Sequence, residues 1–305
     1  MERAVDRPDR HASPAGFERF LMCRIHPTAI IDARAHIAAD VHIGPYTIVA
    51  EDVQIGPGCR IGSHVTLDKH LKLGQRVEVH NYACLGTASQ DLKHKGQVSH
   101  AEIEDDVIIR EFVTVNRGTQ EHGVTRVGRG AVLMAYSHVA HECWIGPGVV
   151  LVNAATLGGE VRIGQGAIIS GLVGVHQFCR VGEYTIVGAC SKVTQDLPPY
   201  ILADGHPARP YGPNVVGLRR AGFTEAQILE IRRIYGQLFD RGQSLKENLA
   251  IIEQRFPGHR LADNVLRFCR EEGRGLARPR PRRAGQSHAA EWDLSVMPFG
   301  DCEGF

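Results

Sequence analysis

The chain has 305 residues, with 35 Lys and Arg against 34 Asp and Glu, and a formal net charge of +1. This balance gives no basic footprint for nucleic acid, and no apolar stretch approaches the roughly 18 residues that a membrane-spanning helix needs. The eight cysteines form no C-x-x-C pair. We therefore expect reduced, structural thiols and a cytoplasmic protein that neither inserts into a membrane nor binds nucleic acid.

The first residues, 1–22, are polar and of mixed charge, and we predict that they form a disordered extension. They lack the apolar centre of a signal peptide. Met22 is a second candidate for the true start of the protein.

A six-residue period begins just after this extension. Every sixth residue is Ile, Leu or Val in three stretches that share one phase, and the residue four positions later is mostly small or β-branched. The aliphatic positions are Ile25, Ile31, Ile37, Ile43, Val49, Ile55, Ile61, Leu67, Leu73, Val79, Leu85, Ile103, Ile109, Val115, Val127, Leu133, Val139, Ile145, Leu151, Leu157, Ile163, Ile169, Val175, Val181, Val187 and Val193. Such a period predicts a mainly β fold, a left-handed parallel β-helix over 23–197 with three short strands per 18-residue coil.

Two polar segments, 86–102 and 116–126, interrupt the aliphatic phase. We predict that both leave the β-helix as loops. Loops held on a rigid scaffold often carry function.

A Pro- and Gly-rich passage follows Val193, and the period then changes. Capping boxes at 224–227 and 244–247 precede helix-spaced apolar residues, and a third helix is expected around 260–271. We predict a small C-terminal α-helical domain over 198–272. A basic and then acidic segment, 273–305, is predicted to be a disordered tail.

Positions 18 apart should lie directly above one another, about 4.8 Å apart along the axis. His141, Gly159 and Gln177 have this spacing and occupy outward positions of the repeat. Histidine is suited to abstracting a hydroxyl proton near neutral pH, and a glycine can present a bare N–H to an oxyanion. This column is therefore a candidate catalytic site, although outward histidines are common in a chain with sixteen of them.

A zinc site built from His138, His141 and His176 is a second interpretation, on the weak signal of one H-x-x-H pair. The G-x-G pairs follow from the hexapeptide period itself. They do not indicate dinucleotide binding, because no strand-to-helix context follows them.

Five segments resemble the UDP-N-acetylglucosamine O-acyltransferase family, and the resemblance covers about 25–272. The segments are 89–93 (SQDLK), 133–145 (LMAYSHVAHECWI), 173–179 (VGVHQFC), 195–200 (QDLPPY) and 214–222 (NVVGLRRAG). The resemblance implies transfer of a (3R)-3-hydroxyacyl group from acyl carrier protein to the 3-hydroxyl of UDP-N-acetylglucosamine, the first step of lipid A synthesis. It also implies a cytoplasmic homotrimer with active sites between subunits, and neither a metal nor another cofactor.

The same resemblance implies roles for individual residues. His141 matches the catalytic base and Gly159 the backbone oxyanion donor, while Ala189 matches the position that limits acyl-chain length. Ala189 lies 48 residues beyond His141, or about 13 Å along the axis. The positions matched to substrate binding are Gln90, Asp91, Lys93, His138, Glu160, His176, Gln177, Asn214 and Arg220.

Three residues depart from the family pattern. Asn116 and Glu160 stand where the family usually has His, and Val216 replaces an acidic residue. Glu160 is 18 residues from Glu142, so two carboxylates are expected one coil apart, and a cation from another subunit or from an amino sugar would neutralise them. A paralogue that acylates a 3-amino or other nucleotide sugar therefore stays open. A zinc carbonic anhydrase-like hexapeptide trimer and a purely structural role are further alternatives.

Overall fold

A computed structural model of the protein describes residues 25–280. The predicted extension at 1–22 and the part of the predicted tail from 281 onward lie outside the described residues. Within 25–280, no helix has the length and apolarity needed to cross a membrane.

Twenty-seven strands occupy about the first three quarters of the described residues. In chain order they are β1 Ile30–Ile31, β2 His36–Ile37, β3 His42–Ile43, β4 Ile48–Val49, β5 Gln54–Ile55, β6 Arg60–Ile61, β7 Thr66–Leu67, β8 Leu71–Leu73, β9 Glu78–Val79, β10 Cys84–Thr87, β11 His100–Ile103, β12 Ile108–Ile109, β13 Thr114–Asn116, β14 Val124–Val127, β15 Val132–Leu133, β16 His138–Val139, β17 Trp144–Ile145, β18 Val150–Leu151, β19 Thr156–Leu157, β20 Arg162–Ile163, β21 Ile168–Ile169, β22 Gly174–Val175, β23 Arg180–Val181, β24 Ile186–Val187, β25 Lys192–Val193, β26 Ile201–Gly205 and β27 Ala208–Pro213.

Up to β25 every third strand belongs to the same sheet, so the chain winds around three sheets. The first sheet runs from β1 to β25, the second from β2 to β23 and the third from β3 to β24. Pairing within these sheets is parallel, and away from the loops it joins residues 18 apart, such as Val150 and Ile168. The predicted parallel β-helix with an 18-residue coil is therefore confirmed.

The hexapeptide aliphatics form the core of this β-helix. From Val127 to Val193 each of them is at most 4% exposed. Burial of each such side chain contributes roughly 1.5–3 kcal/mol before chain entropy is subtracted. Since no single coil could enclose these side chains alone, stability comes from stacking.

Cysteines occupy some of the small inward positions, as the sequence predicts. Cys59, Cys143 and Cys179 are buried, and six cysteines of the described residues are free thiols. Burial raises the pKa of the Cys143 and Cys179 thiols to about 12. Both thiols therefore stay protonated and act as packing groups.

Both loops leave the β-helix at the corner between the first and second sheets, but they are shorter than predicted. The first loop, 88–99, joins β10 to β11, and the second, 117–123, joins β13 to β14. The ends of the predicted segments 86–102 and 116–126 belong to strands, since β11 pairs in parallel with β14. The outward positions of these strands carry polar side chains, so their sequence resembles that of a loop.

The β-helix continues into the region predicted to be only helical. β26 pairs in parallel with β24 and antiparallel with β27, so a hairpin extends the third sheet through residue 213. Ile201 and Ala203 of β26 are fully buried. Pro207, Pro210 and Pro213 of the Pro-rich passage lie in this terminal hairpin, where a missing N–H is tolerated. The helical part of 198–272 thus starts only after this hairpin.

Four helices complete the fold: α1 Val215–Arg220, α2 Glu225–Leu238, α3 Leu245–Arg255 and α4 Arg260–Arg270. Both predicted capping boxes are formed, at Thr224 and at Ser244. Each cap stabilises its helix by about 1 kcal/mol. α4 matches the predicted third helix, whereas the short α1 is not predicted.

Residues 271–280 run back over the end of the β-helix, although 273–305 is predicted to be disordered. Asp196 N donates to Gly275 O at 2.9 Å. Arg180 is buried and donates to the Asp196 carboxylate at 2.9 Å. Arg180 also donates to Glu271 O at 3.1 Å, so this buried arginine joins the start of the segment to the β-helix. Composition alone does not reveal these contacts.

We expect Gly146→Ala to destabilise the β-helix by about 1–3 kcal/mol through overpacking. A Cβ at this corner would lie 2.7 Å from the backbone N of Gln165. Gly174→Ala is the matched control, because nothing lies within 4 Å of its Cβ position. Thermal unfolding should show a clearly lower Tm for the first variant and a nearly unchanged Tm for the second. Equal Tm values would contradict close coil stacking at Gly146.

Candidate active site

His141 lies at the corner from which both loops emerge. It follows β16 of the first sheet and precedes β17 of the second, one coil beyond the second loop. The two loops are bonded to each other beside this corner, with Ser99 Oγ donating to Gly118 O at 2.6 Å and His122 N donating to Val98 O at 2.7 Å. The loops therefore form one wall next to the candidate base.

His141, Gly159 and Gln177 lie in one column, because β16, β19 and β22 pair in register. The His141 imidazole covers Gly159 so closely that a Cβ on residue 159 would overlap Nε2. Glycine is therefore required here to make room for the imidazole. The Gly159 N–H donates no hydrogen bond to any of the described residues.

Glu142 holds His141 and the second loop at the same time. Its Oε2 lies 2.5 Å from His141 Nδ1, and its Oε1 accepts from Thr119 N at 2.6 Å and from Gln120 N at 3.0 Å. An ionised carboxylate only accepts hydrogen bonds, so Nδ1 of His141 carries the proton. The lone pair of His141 is then on Nε2, above Gly159, which is the arrangement that a general base requires.

Asp91 of the first loop approaches His141 from the other side. Its Oδ2 lies 3.7 Å from His141 Nε2, which is too long for a hydrogen bond. Its Oδ1 accepts from Lys93 N at 2.9 Å, so the loop itself orients the carboxylate. A carboxylate and an imidazole thus face the same space, and each can bind a polar hydrogen of a ligand.

Two further histidines flank the column. His138 is half-buried with Nδ1 2.7 Å from Thr114 Oγ1, and burial lowers its pKa. His176 is exposed, with Nδ1 3.0 Å from Gln177 O. Since a carbonyl only accepts, His176 carries its proton on Nδ1 and offers Nε2 as an acceptor.

The other predicted positions are distributed around the site and beyond it. Gln90, Lys93 and Gln177 are exposed, and Gln90 and Lys93 belong to the first loop. Ala189 is exposed at the corner between the third and first sheets, just before β25. Its register puts it nearly three coils from His141, in agreement with about 13 Å along the axis.

Asn214 and Arg220 lie at the two ends of α1. Asn214 is buried and caps the helix, accepting from Gly217 N at 3.1 Å and donating to Tyr184 O at 2.9 Å. Arg220 is exposed in the last turn. Much of the hydrogen-bonding capacity of Asn214 thus serves the fold.

The three departures from the family pattern have different surroundings. Asn116 is buried and donates to Thr87 Oγ1 at 2.8 Å, so it joins the stems of the two loops. Val216 is exposed on α1. Glu160 lies one coil beyond Glu142, but Glu142 turns its carboxylate to His141 and the second loop. Glu160 makes no side-chain hydrogen bond or ion pair with the described residues.

Sequence reasoning missed the bonds of Glu142, the Thr114 contact and the hydroxyl pair of Ser89 and Thr119. The adjacency of His141 and Glu142 is the one sequence signal that could have suggested an oriented base.

The zinc interpretation finds no support, since the described residues contain no cluster of three His, Cys, Asp or Glu able to hold a metal ion.

The stacked coils and the histidine corner define a hexapeptide-repeat transferase. A family model described as bacterial transferase hexapeptide (six repeats) matches 34–69, and one described as UDP N-acetylglucosamine O-acyltransferase, domain 2, matches 196–277. An acyl-(acyl-carrier-protein)-UDP-N-acetylglucosamine O-acyltransferase of Thiobacillus denitrificans is 44% identical over 258 residues, covering 84% of this chain and all of that protein. One of Paraburkholderia phymatum is 49% identical over 227 residues, covering 74% and 87%.

Solved structures agree with these relatives. The UDP-N-acetylglucosamine acyltransferase of Francisella novicida matches with a TM-score of 0.82 at 33% identity, over 90% of this chain and 99% of that one. The enzyme of Moraxella catarrhalis matches with a TM-score of 0.81 at 36% identity, over 84% and 100%. The chain therefore belongs to the UDP-N-acetylglucosamine O-acyltransferase family.

We expect His138 to titrate below the ordinary histidine value of about 6.5, because burial disfavours its charged form. NMR of 13C-labelled histidines, assigned with His138→Gln, would measure its midpoint against that of the urea-unfolded chain. The unfolded state then binds more protons, so the stability contribution is complete above about pH 6.5 and is lost as pH falls towards the folded pKa. A midpoint at or above the unfolded value would contradict this burial effect.

Proposed function

We propose that this protein transfers a (3R)-3-hydroxyacyl group from acyl carrier protein to the 3-hydroxyl of UDP-N-acetylglucosamine, the first step of lipid A synthesis. The observation that carries the proposal is the oriented base, His141 over Gly159 and bonded to Glu142. The names of the relatives, at 44–49% identity over most of the chain, support the same substrates.

In this reaction Nε2 of His141 takes the proton of the sugar hydroxyl. The hydroxyl oxygen attacks the thioester carbonyl, and the carbonyl oxygen becomes an oxyanion. The carbon–sulfur bond then breaks, and the thiol of the carrier leaves with the proton held on Nε2. Glu142 stabilises the imidazolium between these steps, because its carboxylate already binds Nδ1–H at 2.5 Å.

Gly159 has two tasks in the proposed reaction. Its missing side chain lets the imidazole lie over the backbone. Its N–H donates no hydrogen bond to the described residues and would stabilise the oxyanion. Asp91 would bind a second hydroxyl of the sugar, because its carboxylate faces the same space as the base.

The proposed assembly is a cytoplasmic homotrimer with acyl carrier protein as a transient partner. A column of exposed rings supports self-association, since large exposed apolar patches usually mark interaction surfaces. Successive rings are stacked with centroids 4.8–5.1 Å apart along the corner between the third and first sheets. The rings are those of Tyr46, His64, Tyr82, Phe112 and Tyr136.

A 3-amino sugar nucleotide is a second candidate acceptor, and Glu160 favours it. This carboxylate lies on the same corner as His141 and has no ion-pair partner among the described residues. A protonated amine on the sugar would supply one. The product would then be an amide instead of an ester.

We expect purified protein to acylate UDP-N-acetylglucosamine from 3-hydroxyacyl carrier proteins, and His141→Ala to lower kcat by about 10²–10⁴ for lack of a general base. Mass spectrometry of the product would measure both, with the 3-amino acceptor in a parallel reaction. Glu160→Gln should weaken use of the amino acceptor more than that of the hydroxyl acceptor. Failure of both acceptors, or full activity of His141→Ala, would refute the proposed function.

The acyl chain is proposed to run from His141 across the outer face of the first sheet to Ala189. Between these residues the outward position on β22 is Gly174, and nothing lies within 4 Å of where its side chain would be. A chain lying there ends at the corner of Ala189. The size of residue 189 then limits acyl length.

We expect Ala189→Met to shift the preference to shorter acyl chains, because it reduces the space at the end of the proposed acyl path. Ala189→Gly should shift the preference to longer chains, because it enlarges that space. Competition between acyl carrier proteins of several chain lengths would measure the product ratio. Ala226→Met, at an exposed position of α2, is a control for a general effect of added bulk. An unchanged ratio in both Ala189 variants would remove residue 189 from acyl-length selection.

A further inference from the structure

The contacts around His141 form a closed circuit. His141 Nδ1 contacts the Glu142 carboxylate, which accepts from Thr119 N, and the Thr119 hydroxyl lies 2.6 Å from the Ser89 hydroxyl. Ser89 Oγ accepts from Asp91 N at 3.1 Å, and Asp91 Oδ2 faces His141 Nε2 at 3.7 Å. The two loops are thus joined by one hydroxyl pair on the path between the base and Asp91.

We propose that Ser89 and Thr119 are positioning residues for the acceptor: their hydroxyl pair fixes the distance between the Asp91 carboxylate and the base. This inference rests on the proposed function, in which Asp91 binds the sugar.

The hydroxyl pair is built for this task. Thr119 is only 5% exposed and Ser89 is half-buried, so water competes weakly for their hydrogen bond. Ser89 already accepts the N–H of Asp91, which orients the turn that carries the carboxylate. Loss of either hydroxyl would break the bond between the loops beside Asp91, while the bonds of Ser99 and Val98 to the second loop would remain.

The catalytic pair is not held by these hydroxyls. Glu142 accepts from the backbone N–H groups of Thr119 and Gln120, which remain when a side chain is changed. Removal of the hydroxyl pair should therefore loosen Asp91 and leave His141 in place. The expected result is weaker acceptor binding with nearly normal chemistry.

The test compares Thr119→Val, Ser89→Ala and the double variant with wild type in steady-state kinetics. Each single variant should raise the acceptor KM about three- to tenfold, the range expected for one internal hydrogen bond, with kcat within about threefold and the KM for acyl carrier protein unchanged. The double variant should have an acceptor KM close to that of the more impaired single variant, because both substitutions break the same hydrogen bond. Thr119→Ser should restore the acceptor KM.

Glu121→Gln changes an exposed side chain of the same loop and is the control for loop substitution. An unchanged acceptor KM in both single variants, or effects that multiply in the double variant, would overturn the inference. A wild-type protein without turnover would instead refute the proposed function. If Thr119→Val has a lowered Tm, Ser89→Ala decides the question, since it removes a hydroxyl from a half-buried side chain with little change of buried volume.

Discussion

Parallel hydrogen bonding between successive coils fixes the axial position of every side chain in the β-helix. Along the site it takes the form of bonds from Glu160 N to His141 O at 2.9 Å and from Phe178 N to Gly159 O at 3.0 Å. Because each bond links residues 19 apart around an 18-residue coil, an outward residue is always next to its equivalent on the next coil. A catalytic column needs no other device to hold its levels about 4.8 Å apart.

The same constraint explains why insertions at one corner are tolerated. Leu85 pairs with Val115 across the first loop, and Val115 pairs with Val139 across the second, so the strands resume their register on both sides. Chain that leaves and returns at a corner adds no residue to the core. The core therefore does not constrain the residues of either loop, and these residues can serve ligand binding. The bonds between the two loops keep them at the corner where His141 lies.

Much of this could be predicted from sequence, because the core and the column depend on a period. His141, Gly159 and Gln177 follow from a spacing of 18, and the caps at Thr224 and Ser244 from local motifs. The contacts of Glu142 are not periodic. They depend on the side-chain conformation of a corner residue and on the path of a loop whose register begins elsewhere. For the same reason, the hairpin after residue 197 and the return of 271–280 were missed: each is held by partners distant in sequence.

The reason for Gly159 also changes once the structure is known. The sequence predicts a glycine that presents a bare N–H, but the imidazole above Gly159 excludes any side chain whether or not an oxyanion forms. The orientation of the His141 imidazole and the availability of the Gly159 N–H thus both require that residue 159 has no side chain. An alanine at this position would displace His141 from Glu142 and the acceptor together, so a loss of activity in that variant would not by itself identify the oxyanion donor.

The three departures from the family pattern consequently have unequal weight for acceptor choice. Asn116 is buried between the loop stems, where its amide donates to Thr87 Oγ1. Val216 lies on α1, outside the column. Glu160 alone combines a position on the corner of His141 with a carboxylate that has no partner among the described residues. An ammonium group on the acceptor would give this partly exposed carboxylate a charge-assisted hydrogen bond. Selectivity between a hydroxyl and an amino acceptor should therefore depend on Glu160, and the other two departures should affect loop and helix stability.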